Sequence, residues 1–455
     1  MARDSDDTTP LTTRAELIEW FAAGEKPRER FAIGTEHEKI PFYAADRRPV
    51  PYAGEAGIGA LLEGLGRETG WEPITDRGAV IGLAASEGGA ISIEPGGQFE
   101  LSGAALPDVH ATAAELATHL DAVKRVADPM GIKFLTLGMS PKWRRDETPV
   151  MPKSRYKIMA GYMPKVGSLG LDMMLRTATV QVNLDFRSED DMARKMRASL
   201  ALQPVATALF ANSPFTDGRP NGFLSRRSEI WRDTDGDRTG MLPFAFESGF
   251  GYEAYADWLL DMPMYFVKRG DTYHDVSGAS FRDLMEGRLP QLPGERATMS
   301  DWVNHASTAF PEVRLKRFLE MRGADVGDPD MIAAQAAFWV GLLYDEGALD
   351  AALDLVKGWT ASQREAARAT APRLGLATPI AKRTLGEVAA EALAIARSGL
   401  KARARRDANG HDETGYLQPL EMIVAAGRTR GQDWLDAYES RWESSVDPAF
   451  SECVF

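Results

Sequence analysis

Glu36 and Glu38 stand two apart in GTEHEK (34–39), and Glu94 and Glu100 flank the tight turn of Pro95, Gly96 and Gly97. In an extended chain, residues two apart project to the same side. Each segment therefore presents carboxylates together. Two unit charges about 4 Å apart repel by about 4 kcal/mol at an effective dielectric near ~20, so a dry cluster of this kind requires cations. Oxygen donors without cysteine or paired histidine favour Mg²⁺ or Mn²⁺. Spacing alone leaves a second reading open, in which these are ordinary water-facing strand sides.

A second group is basic. Residues 141–158 hold Lys142, Arg144, Arg145, Lys153, Arg155 and Lys157 against Asp146 and Glu147, and residues 215–243 add Arg219, Arg226, Arg227, Arg232 and Arg238. Such cations either receive phosphates or carboxylates, which arginine grips bidentately, or form a solvated face. The run Lys401, Arg403, Arg405 and Arg406 reads as an exposed helix end. Carboxylates for metal beside arginines for anions are the equipment of phosphoryl transfer from ATP. Pattern does not name the acceptor.

Other chemistries are absent. No GxxxxGK[ST], GxGxxG or HExxH occurs. Asp233, Asp235 and Asp237 imitate a calcium loop, but Arg238 stands where glycine is needed and Phe244 where the bidentate glutamate is needed. A solvated acidic loop is the expectation there.

The elements that must position these residues are legible from period. Thr13 and Glu16 form a capping box before Leu17, Ile18 and Phe21. Alternation then predicts strands through Glu36 and Glu38, through Ile91 and Ile93, through Phe99 and Leu101, and through Thr179, Gln181, Asn183 and Asp185, each with one apolar face. Ser188 opens a helix carrying Met192, Met196 and Leu200, and residues 347–406 are Ala-rich and helix-favouring. Residues 215–243 lack period and read as a functional loop. Around 313–322 strand and helix readings compete.

The chain has 455 residues, about three domains by a soft prior, although one large unit fits equally. Its 44% hydrophobic and 26% charged composition is that of a globular protein. A net charge of −13 opposes a nucleic-acid or membrane-coating role. Cys453 is the one cysteine, so no internal disulfide can form. No segment predicts a membrane span, and MARDSDDTTP resembles no signal or transit peptide, so the expectation is a cytoplasmic protein.

Long blocks carry a resemblance. GTEHEK (34–39), ISIEPGGQFELSGA (91–104), PKWRRDETPVMPKSRY (141–156), MPKVGSLGLDMMLRTATVQVNLDF (163–186), ALFANSPFTDGRPNGFLSRRSEIWRDTDGDRTGMLPF (208–244) and FPEVRLKRFLEMRGAD (310–325) closely resemble glutamate–cysteine ligases of the plant and alphaproteobacterial type. The likeness runs from about residue 11 to SVDPAF near the end. It implies an α+β, glutamine-synthetase-like carboxylate–amine ligase fold, with a curved antiparallel sheet and helices packed outside. It favours one catalytic domain over 1–455, with a helical final third at about 347–455. The implied activity is ATP-dependent ligation of the glutamate γ-carboxylate to cysteine through γ-glutamyl phosphate, the first step of glutathione synthesis.

The resemblance also implies roles. Glu36, Glu38, Glu94, Glu100, Gln181 and Glu320 match metal-ligand positions for Mg²⁺ or Mn²⁺. Arg322 matches the residue that stabilises phosphoryl transfer, and Arg155 and Arg227 match the pair that holds the substrate α-carboxylate. Expected partners are glutamate, cysteine and ATP, without nucleic acid or membrane, in a monomer or weak homodimer. Val276 and Gln291 replace a cysteine pair of the plant pattern, so that form of redox control is not expected. A ligase using another amine acceptor, a silent binding protein on the same scaffold and a two-metal hydrolase are the rival readings.

Overall fold

A computed structural model describes residues 7–455; part of the acidic N-terminal segment read above, residues 1–6, lies outside them. The capping box forms as predicted. Thr13 and Glu16 exchange hydrogen bonds ahead of α1 (Arg14–Ala22), which buries Leu17, Trp20 and Phe21.

Among the described residues, nine strands build the main sheet: β1 (Ile33–Tyr43), β2 (Glu72–Asp76), β3 (Ala79–Ala84), β4 (Ala90–Ile93), β5 (Phe99–Ser102), β6 (Ile132–Leu135), β7 (Thr179–Leu184), β8 (Val313–Leu315) and β9 (Leu319–Asp325). Their order is β8-β9-β7-β1-β5-β4-β3-β2, with β6 on the far half of β1. Every pairing is antiparallel. The ambiguous 313–322 segment is thus a hairpin, in which Arg314 pairs with Glu320.

Alternation sorts the side chains as a pleat must. Ile91, Ile93, Phe99 and Leu101 join Ile58, Leu61, Leu62 and Leu65 of α2 (Ile58–Thr69) and Val123 of α3 (Val109–Ala127) in one core. Val180, Val182, Leu184, Leu319 and Met321 belong to the larger core. That core includes Met192, Met196 and Leu200 of α6 (Glu189–Leu209), a helix that Ser188 caps; the intervening helices are α4 (Ser154–Tyr162) and α5 (Gly170–Arg176). The opposite sides of the same strands carry Ser92, Glu100, Gln181 and Glu320.

The central strand departs from the one-apolar-face expectation. Behind Glu36 and Glu38, β1 buries Thr35, His37 and Lys39. Lys39 Nζ lies 3.2 Å from His37 Nδ1, and the ring of His119 on α3 meets that of His37 edge-on at 5.6 Å. Burial, then the Lys39 charge, holds His37 well below the usual histidine range. Burial also brings Lys39 down to about 7, so the contact joins a neutral imidazole to an amine that titrates near neutrality.

α7 (Arg226–Trp231) and α8 (Met299–Ser307) flank the open side of the sheet, as their cavity-lining residues show. α9 (Pro329–Leu343) packs behind β7 and β1, and the Ala-rich final third is helical as expected. There α10 (Leu385–Arg403) crosses α9 at Gly341 and Gly399. A Cβ on Gly399 would lie 1.9 Å from the Gly341 carbonyl oxygen, so this backbone contact requires glycine.

Candidate active site

The polar side of the sheet floors a cleft of about 1030 Å³, the open solvent at its mouth included. Strand register sets the carboxylates. Glu36 on β1 pairs with Gln181 on β7, and Glu38 with Glu100 on β5. Glu94 enters from the turn after β4. All four carboxylates line the cleft.

Each is oriented by a neighbour. Asn183 Nδ2 donates to Glu36 at 2.9 Å, and the Thr179 N–H donates to Glu38 at 3.0 Å. Ser92 and Ser102 hydroxyls donate to Glu100 at 3.2 and 2.8 Å. The Tyr156 hydroxyl lies 3.3 Å from Glu94 Oε1 and 2.9 Å from the Ile93 carbonyl, and receives a bond from Lys153. Burial, then the charges of Glu94 and Glu100, holds the Glu38 carboxyl well above its ordinary range. Among the described residues no group of three His, Cys, Asp or Glu side chains already converges on a metal position. The donor set is nevertheless oxygen-only and mutually repelling, which is what a hard divalent cation relieves.

The other expected ligands sit differently. Gln181 Oε1 accepts from Arg322 Nη1 at 2.5 Å. Glu320 is fully buried and outside the cleft lining. Its two oxygens accept from Arg314 Nε and Nη2, both at 2.8 Å, and from Arg322 at 2.5 Å, with Lys316 Nζ at 3.0 Å. These cations hold the Glu320 carboxyl well below its usual range although burial opposes them. The cleft therefore has an acidic wall of Glu36, Glu38, Glu94 and Glu100, and a basic wall of Arg314, Lys316 and Arg322.

Arg155 on α4 and Arg227 on α7 line the same cleft. Arg227 lies on a short helix capped by Ser225, where sequence period had predicted only a loop. Its Nη2 donates to the Arg322 carbonyl at 2.9 Å, its Nε is buried without a partner, and its guanidinium stands 5.7 Å from the Trp231 ring centre. Asp325 faces it, accepting from Asn212 N–H (2.9 Å), Ser213 Oγ (2.7 Å) and Ser225 Oγ (2.8 Å). Arg322 lies between Trp231 and Phe310, 5.9 Å from each ring centre.

Several basic and acidic residues are structural instead. Lys142 pairs with Asp447, Arg144 with Asp146 and Arg145 with Asp172. Arg403 bonds Glu413 at 3.1 Å and is mostly covered, so the 401–406 run is not wholly an exposed end. The solvated-loop expectation at 233–237 fails at Asp235, which is 1% exposed and bonded by the equally buried Arg238 at 2.6 Å. Arg238 also donates to the Pro263 and Thr308 carbonyls, tying loop to scaffold. Conversely, sequence reading missed Arg314 and Lys316. Their alternation with Val313 and Leu315 was the available signal, hidden by the competing helical reading.

The chain matches the glutamate-cysteine ligase family 2 over residues 32–452. It belongs to that family. The chloroplastic glutamate–cysteine ligase of Arabidopsis thaliana is 53% identical over 448 residues, covering 98% of this chain and 84% of that one. Glutamate–cysteine ligase B of Oryza sativa subsp. japonica, also chloroplastic, is 51% identical, covering 98% and 88%. Glutamate–cysteine ligase of Francisella tularensis, solved with AMP, superposes with a TM-score of 0.53 at 13% identity, covering 91% of this chain and 86% of that one. A bifunctional glutathione synthetase from Pasteurella multocida gives 0.51 at 14%, covering 96% and 52%. These distant likenesses bear out the ligase fold, an antiparallel sheet with helices around it. The cytoplasmic expectation does not stand, because the relatives from Arabidopsis thaliana, Brassica juncea and Oryza sativa subsp. japonica are named chloroplastic enzymes. No helix among the described residues is long and apolar enough to cross a membrane.

Proposed function

We propose that the two-walled cleft is where this family member joins its substrates, with the acidic wall gathering cations and the basic wall gathering anions. The reaction is the family's: ATP-dependent formation of γ-glutamylcysteine from glutamate and cysteine, the entry to glutathione synthesis. The division of charge within one cleft is the observation that carries this reading to the residues.

In the first step, a γ-carboxylate oxygen of glutamate attacks the γ-phosphorus of ATP and ADP leaves. In the second, the cysteine amine attacks the acyl carbon, phosphate leaves, and the nitrogen gives up a proton. Arg155 and Arg227 hold the α-carboxylate, so the γ-carboxylate reaches the junction of the walls. Arg322 faces the transferring phosphoryl group, pinned by Gln181, Glu320 and two aromatic rings. Preorganised cations stabilise charge that develops there without reorganising. Glu36, Glu38, Glu94 and Glu100 would hold Mg²⁺ or Mn²⁺, which supplies charge neutralisation to the ATP phosphates. Gln181 and Glu320 are read here as anchors for the basic wall. The chain works as one catalytic domain, a reading supported by a continuous core that includes both Leu11 and Phe450.

The test is stoichiometry. Purified protein with glutamate, cysteine, ATP and Mg²⁺ should release one ADP per γ-glutamylcysteine, and a chelator should abolish both. Release of ADP without cysteine-dependent product would refute the assignment.

A further inference from the structure

Lys316 sits in the turn between β8 and β9, 3% exposed, and lines the cleft. Both cationic neighbours are already bonded to protein groups. Arg314 spends its guanidinium on both oxygens of Glu320 and on the Ser307 and Ala309 carbonyls, at 2.6 and 3.0 Å. Arg322 is bonded to Glu320 and Gln181. Lys316 Nζ approaches Glu320 to 3.0 Å as an ion pair, and by geometry it is not aligned for a hydrogen bond to any group among the described residues.

One carboxylate thus serves three cations, and the next acidic group facing them, Glu36, belongs to the opposite wall. Burying a charge without a compensating partner is costly. The fold keeps this surplus beside the cleft, so an arriving anion is the partner that completes it. Arg314 has committed four of its five N–H donors to Glu320 and to carbonyls. Lys316 has none so committed.

We infer that Lys316 is a catalytic residue of the ligase, donating to the phosphoryl group as it passes from ATP to glutamate and to the phosphate that finally leaves. Arg314 is then a positioning residue that holds Glu320, and Glu320 in turn sets the distance of Lys316. The inference rests on the two-step reading above. A compact ammonium suits a point contact to a non-bridging oxygen whose charge grows during transfer. Removing one such donor lowers turnover by about 10²–10³-fold while leaving amino-acid binding largely intact.

The experiment compares wild type with Lys316→Met and Lys316→Arg in steady-state kinetics, including inhibition by the product, inorganic phosphate. For Lys316→Met the expected result is a kcat loss of about 10²–10³-fold, a glutamate KM within about threefold of wild type, and phosphate inhibition weakened about tenfold or more. Lys316→Arg should recover part of both losses. A folded Lys316→Met with near-wild-type kcat and unchanged phosphate inhibition overturns the inference, as does a loss confined to the glutamate KM. If Lys316→Met does not fold, trace acetylation of wild type decides: inorganic phosphate should slow labelling of Lys316, and unchanged labelling overturns the role. Wild type that makes no γ-glutamylcysteine would instead break the two-step reading itself.

Discussion

Glu38 on β1 lies directly across from Glu100 on β5, two carboxylates on one rung of the ladder. Like charges directly opposite destabilise a sheet. On the proposed reading, the fold accepts that cost where it would gather cations. Glu38→Gln should therefore make the metal-free protein melt higher than metal-free wild type, while Mg²⁺ stabilises the variant less. The sign with pH follows. A carboxyl held above its ordinary value of 4.5 binds more protons folded than unfolded, so metal-free stability falls as pH rises from there through the raised value. That slope should diminish in Glu38→Gln. Thermal melts with and without Mg²⁺ across pH check it; a lower metal-free melting point would count against the repulsion.

Arg227 tests the amino-acid end. Losing a charge-assisted hydrogen bond costs about 1.5–3 kcal/mol, or roughly ten- to a hundredfold in affinity. Arg227→Ala should raise the glutamate KM by about that factor and leave the ATP KM nearly unchanged, with Arg227→Lys recovering only part. Asp325→Asn should act in the same direction and more weakly, because Asp325 gathers Ser213 and Ser225, and Ser213 Oγ accepts from the Arg227 N–H at 3.1 Å. Kinetics varying each substrate in turn decide; a loss confined to ATP would move Arg227 to the nucleotide.

Gly323 follows Arg322 in the β-bulge where the β9–β7 register shifts. A Cβ there would lie 1.9 Å from Gln203 Nε2 on α6, behind the sheet. Overpacking of this kind costs about 1–3 kcal/mol, and it would also displace Arg322. Gly323→Ala should lower both stability and kcat. Adding Gln203→Ala, which removes an amide lacking hydrogen-bond partners, should restore much of the stability. Urea unfolding of the singles and the double measures the coupling; strict additivity would mean the strain runs elsewhere.

His305 gives a second pH dependence, away from the acidic wall. It is buried, its Nε2 donates to the Leu259 carbonyl at 2.8 Å, and its ring stacks on Phe281 at 4.9 Å. Burial pushes its pKa from 6.5 down to about 3, with the nearby Arg238 charge contributing. The unfolded chain then binds a proton that the folded one refuses. Stability is present above about pH 6.5 and is lost as pH falls toward 3, by up to about 1.4 kcal/mol per unit. Denaturant midpoints between pH 7 and about 4 should slope less in His305→Gln. Parallel slopes would assign the acid sensitivity to other groups.

The acidic wall was legible because alternation in GTEHEK and across the Pro95–Gly97 turn is a local property, and strand register then places the carboxylates together. What faced them was not. Lys39 and His37 share the back of β1 through a contact with α3, a long-range pairing that no local period encodes. Asp235 looked solvated because its partner Arg238 and the carbonyls that fix it come from distant segments. Glu320 and Gln181 were matched to metal positions by the family resemblance; their protein partners, Arg314 across the hairpin and Arg322 reaching both, come from register and were not legible. Arg227 was placed by resemblance alone, since its helix of six residues is too short to show a period.

The central claim is that the glutamate γ-carboxylate becomes an acyl phosphate between the two walls. It is tested most directly with glutamate carrying ¹⁸O in that carboxylate, turned over with ATP and cysteine, and mass spectrometry of the phosphate released. Attack of a carboxylate oxygen on phosphorus, followed by cleavage of its bond to carbon, must carry one labelled oxygen into each phosphate. Phosphate of unlabelled mass, formed together with γ-glutamylcysteine, would contradict the account.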